Sequence, residues 1–149
     1  MKVFLRNFDG YQQRELGKSH ILGFGIMGFL LMTLPIVDLF YGKPVFAEKM
    51  DENMFILFFS LTVVACYQVL KEAYFPVKIK QNKLRTGLFL VSVGVSVGLV
   101  EFFLLGNGPL FKNGQINDGY DLYAAFFFLG PGLLILGKSL IGKFLARSE

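Results

Sequence analysis

Three carboxylates stand apart in this chain because of where they sit. Asp38, Glu101 and Asp121 each lie inside or at the edge of a long apolar run. Ionisable groups placed in such runs are costly and mark function by default. At 1.5 Å per residue, Asp38 and Glu101 fall within about 10 Å of the ends of their runs. Asp121 starts its own run from the same side. The chemistry this suggests is a site for a cation or a proton, with one carboxylate held protonated by burial and by like charge. The competing reading is that these shallow groups reach water or cap backbone at helix ends. A second polar group, His20, Gln68, Lys71 and Glu72, gathers at the opposite ends. His20 could titrate near neutral pH, although a lone histidine at a helix start is more simply interfacial. Lys71 and Glu72 are adjacent and cannot face one another on one helix, so any pairing must cross between helices.

Other reactive types are scarce. Cys66 has no activating base beside it and reads as a packing residue. One cysteine forms no intrachain disulfide, and one histidine rules out a multi-histidine metal site within the chain. Gly23, Gly25 and Gly28 match the letters of the dinucleotide fingerprint, but that motif needs a preceding strand and a βαβ unit. No catalytic residue, metal or cofactor is therefore expected, and the chain reads as a non-enzyme.

The elements that must position these residues follow from composition. The chain has 149 residues, 54% of them hydrophobic and only 17% charged, with a mean hydropathy of +0.54. Charged residues are about 25% of a soluble domain, and a domain this small has too much surface to hide so much apolar area. Disorder is excluded by the same hydropathy. The expected fold is all-α: a polytopic integral membrane protein with four transmembrane helices. A span needs about 20 mostly apolar residues, and four such runs cover about 19–42, 54–74, 86–105 and 120–142. The third contains a strand-like alternation, Leu90 to Gly98, but an isolated strand edge in lipid leaves its backbone unpaired. Val45-Phe46-Ala47 resembles a cleavage site, yet the run before it is longer than a signal-peptide core.

Charge gives the orientation. Twelve lysines and arginines fall in the N-terminal segment, the connection around 71–85 and the C-terminal end; three fall in the other two connections. The richer side is expected to be cytoplasmic, placing both termini inside. Residues 1–18 are a cytoplasmic segment, interfacial in part, 19–142 the bundle, and 143–149 a cytoplasmic tail. This asymmetry accounts for the net charge of +4 and removes the need for nucleic acid as a partner. The Phe-rich, Lys-biased composition suits a bacterial cytoplasmic membrane.

Helical periodicity then assigns faces. On the third helix Gly87, Gly94, Gly98 and Glu101 share one face, and Ser92 and Ser96 share nearly the opposite one. Small residues let helices approach closely in lipid, so both faces suit packing and the third helix is expected to be central. On the second helix Ser60, Tyr67 and Lys71 form a stripe, with Gln68 beside it, pointing into the bundle. Pro35 and the Gly130-Pro131-Gly132 run should bend their helices. Asn113-Gly114 marks a turn between Phe111 and Ile116 that fits a tiny hairpin. The functional expectation is a non-enzymatic accessory or immunity-type protein whose partners are the bilayer and another membrane protein or its own copy. The alternative is a small oligomeric transporter or channel using the intramembrane carboxylates.

Overall fold

A computed structural model describes residues 8–76, 82–100, 111–117 and 119–145. The chain forms α1 (Gly10–Tyr41), α2 (Lys49–Leu70), α3 (Lys83–Val100), a hairpin of β1 (Phe111–Lys112) and β2 (Gln115–Ile116), and α4 (Tyr120–Leu145). Among the described residues, four helices are long and apolar enough to cross a membrane.

The first helix starts earlier than the hydropathy run. Asp9 is its N-cap: its carboxylate accepts the Gln12 N–H at 2.7 Å, and the Gln12 side chain reaches back to the Asp9 N–H. This capping box satisfies two backbone donors at once. Residues 10–18, expected to precede the span, are thus helical and continuous with it. Pro35 and Pro131 lie within helices that continue through them. At the far end Gly42 closes α1 in the left-handed region, with φ 68°, where a side chain would be strained.

The end of α2 uses an unusual residue for its geometry. The Ala73 N–H returns to the Gln68 carbonyl at 2.8 Å and the Glu72 N–H to Val69 at 3.2 Å. This is a Schellman closure. Its left-handed position is normally glycine, but here it is Glu72, with φ 58°.

The helices pack as an open row. α1 lies on α2, α2 also packs on α4, and α4 carries α3 on its other side. The third helix is thus at an edge, not central. Its glycine face explains why. A Cβ at Gly94 would fall 2.7 Å from Leu129 Cγ and 3.0 Å from the Ala125 carbonyl, and one at Gly87 would meet Ile135 and Leu136 at 3.0 Å. α3 and α4 approach through these two positions, while Ser92 and Ser96 remain exposed. On α1 only Gly23 makes such a contact, its missing Cβ leaving room for Val64; Gly25 and Gly28 face open space.

One end of the row is covered by a small clasp. The hairpin forms around Asn113 and Gly114, both with positive φ (54° and 74°), as a two-residue hairpin turn requires. β2 then pairs in parallel with the α1–α2 connection. The Ala47 N–H donates to the Ile116 carbonyl at 2.7 Å and the Ile116 N–H to Val45 at 2.8 Å. Lys43 bonds the Asn113 carbonyl and Gln115 the Pro44 carbonyl. Phe46 is buried beneath, its ring 5.4 Å from Phe55, which stands 5.4 Å from Tyr123.

Candidate functional site

The densest polar assembly among the described residues lies where α1 meets the end of α2, opposite the clasp. Gln12, Glu15, Ser19 and Gly23 recur at helical spacing and form one buried face of α1. Each polar member finds a partner on α2 or just beyond it. The Gln12 amide donates to the Glu72 and Phe75 carbonyls, both at 2.7 Å. The Tyr67 hydroxyl donates to Glu15 Oε2 at 2.7 Å, and the Gln68 amide donates to Ser19 Oγ at 2.8 Å. Ser19 in turn donates to the Leu16 carbonyl. Glu15 is 3% exposed, and its other oxygen receives Lys18 Nζ at 2.6 Å. Both oxygens of a buried carboxylate are thus engaged, which is the condition for holding a charge there.

α4 joins this seam through Lys138. Its ammonium donates to the Val69 and Leu70 carbonyls at 3.2 and 3.0 Å, and lies 3.6 Å from Glu72 Oε1. A lysine from another helix therefore completes the carbonyls at the α2 C-terminus, the negative end of its dipole. Beyond that terminus burial lifts the Tyr74 phenol above its ordinary value.

Farther along α2, the Ser60 hydroxyl is fully buried without a hydrogen-bond partner. Ser19, Thr33 and Thr62 bond carbonyls three or four residues back on their own helices; Ser60 has no such bond. Cys66 packs beside Gly130.

The clasp end holds its acidic groups in separate structural roles. Asp38 Oδ1 accepts the Val45 N–H at 2.8 Å and braces the turn after α1. Asp51, 3% exposed, accepts the Gly119 N–H at 3.1 Å and so ties the first turn of α2 to the start of α4. Glu52 takes both of its short contacts from Lys49. The Tyr123 hydroxyl lies close to Gly119, buried and without a hydrogen-bond partner.

Of the carboxylates singled out by sequence, Asp38 is at the clasp end, where it accepts the Val45 N–H. Glu101 lies outside the described residues, and for Asp121 only its backbone position in the first turn of α4 is described. Of the opposite group, Gln68 and Glu72 enter the seam, Glu72 through its carbonyl. His20 and Lys71 are exposed beside it. Sequence reasoning missed Gln12, Glu15 and Ser19. Their spacing continues to Gly23 inside the apolar run, a periodic signal hidden by the neighbouring charges. Among the described residues no three His, Cys, Asp or Glu side chains form a metal-binding group. Comparison with models of protein families, with curated proteins and with solved structures finds no match to this chain.

Proposed function

We propose that this chain is a membrane-embedded interaction protein, an accessory or immunity-type subunit without catalysis of its own, with both termini on the cytoplasmic side. One observation carries the reading: the row is open. α1 packs on α2 alone among its principal contacts, and the opposite face, with Ile21, Gly25, Gly28 and Met32, is exposed. Small residues set among large apolar ones allow another helix to approach closely in lipid. The engagement of Glu15, Asp38 and Asp51 in ties between elements supports a structural use of the buried charges.

The test is a photo-crosslinking amino acid at Met32, read in native membranes, with the same probe at buried Ile56 as control. A discrete protein adduct at Met32 and none at Ile56 is expected, with the adduct partner co-purifying in mild detergent. A chain that crosslinks to no protein and runs alone overturns the reading.

A second reading is favoured by the buried, unpartnered Tyr123 hydroxyl at the clasp end: a small oligomeric transporter or channel for a cation or small solute. Liposome flux decides it. Flux that falls in Asp38→Asn and Glu101→Gln supports a carboxylate route, and flux absent from the wild-type protein removes it.

A further inference from the structure

We propose that the surface beside the α1–α2 seam binds the headgroup of an anionic phospholipid, its phosphate held between Lys18 and Lys71. The inference goes beyond the interaction reading and does not depend on which protein partner is bound.

Lys18 on α1 and Lys71 at the C-cap of α2 lie on two different helices around one buried carboxylate. Lys18 contacts Glu15 directly, and Lys71 follows one turn after Tyr67, whose hydroxyl bonds the same carboxylate and whose carbonyl accepts the Lys71 N–H. Lys18 uses one of its three N–H donors on Glu15, and its side chain is half exposed. Lys71 is exposed and makes no ion pair among the described residues. Two cations thus stand over one carboxylate whose oxygens are already taken by Lys18 and Tyr67. A surplus positive charge is left facing outward. A phosphate is complementary to it, and basic pockets between helices at a membrane surface suit such headgroups.

The helix geometry selects a lipid over a free anion. Tyr11, Lys18, Leu22, Phe29 and Ile36 recur at spacings of seven and four, so they line one flank of α1. All five are exposed. The flank starts with a tyrosine and a lysine at the basic end and continues as bare apolar surface toward the clasp. A ligand that fits the whole flank carries charge at one end and hydrocarbon along the rest. Tyr11, two turns nearer the helix start than Lys18, supplies the amphipathic ring that favours the headgroup region.

The full-length chain in detergent is titrated with phosphatidylglycerol, with phosphatidylcholine and with free glycerol 3-phosphate, and bound lipid is read by native mass spectrometry alongside thermal stability. Phosphatidylglycerol is expected to bind more tightly than phosphatidylcholine, and glycerol 3-phosphate to give no stabilisation. Neutralising each lysine, Lys18→Gln and Lys71→Gln, should weaken phosphatidylglycerol by about fivefold. The double variant should lose most of the preference, whereas Lys83→Gln with Arg85→Gln should keep it. Lys18→Arg with Lys71→Arg should also keep it, which separates lost charge from a damaged fold. Equal binding of the two lipids by the wild type overturns the proposal. So does a preference that survives the double glutamine variant, and so does stabilisation by glycerol 3-phosphate equal to that by phosphatidylglycerol.

Discussion

Glu72 occupies a backbone conformation that favours glycine, and its side chain gains little in exchange. The carboxylate is exposed and its 3.6 Å contact with Lys138 is of the solvent-screened kind. Glu72→Gly is therefore expected to stabilise the folded protein by about 1 kcal/mol through relief of the left-handed strain, measured as a higher thermal midpoint in detergent. A fall in the midpoint would show that the side chain contributes more than its contacts indicate. Two serines on facing surfaces of the same helix pair make a sharper contrast. Ser19 accepts from Gln68 and donates to Leu16, whereas the Ser60 hydroxyl is buried and unpartnered. Ser19→Ala should cost about 1 kcal/mol and leave the Gln68 amide without its acceptor. Ser60→Ala should be neutral or stabilising, because it removes a polar group that makes no bond. Equal losses in both variants would show that Ser60 is bonded in the membrane.

At the scale of elements, the α3–α4 contact rests on what is missing from two glycines. Gly94→Leu would drive side-chain atoms into Leu129 and the Ala125 carbonyl and should cost about 1–3 kcal/mol or separate the helices. Gly98→Ala should be tolerated, since its added carbon would meet Ala125 Cβ at an ordinary 3.8 Å. Paired stability measurements on the two variants check this. The same elements show how far a sequence can be read. The apolar runs, the glycine face and the Asn113-Gly114 turn are local patterns, and local patterns set local structure. The stripe of Ser60, Tyr67 and Lys71, with Gln68 beside it, is legible as a face of α2, although Lys71 at its end is exposed and not turned into the bundle. Glu15 was not legible, although its spacing to Gln12 and Ser19 is helical, because the capping pair Asp9 and Gln12 was not used to start the helix before the apolar run. The position of α3 at the edge of the row was beyond reach for a different reason. Glycines and serines on two faces both permit close approach, and only the packed partner decides which face is used.

For the whole molecule, charge asymmetry and the clasp make one testable statement about sidedness. Single cysteines at Asn113 and at Lys71, each in a Cys66→Ala background, should react with a membrane-impermeant maleimide from opposite sides, Asn113 from outside the cell. Labelling of both from one side would refute the four-span topology. The pairing between Val45–Ala47 and Ile116 was not legible in advance, because it joins two connections some 70 residues apart and depends on α2 and α4 already lying side by side. That dependence also bears on biogenesis. A chain emerging from the ribosome can insert α1 and α2 long before residues 115–116 exist, so until then the backbone groups that flank Phe46 have no strand to pair with. The clasp consequently cannot close until residues 115–116 have been made, and a chain arrested or truncated before them displays its absence as an aromatic, strand-like edge that a chaperone or protease can recognise.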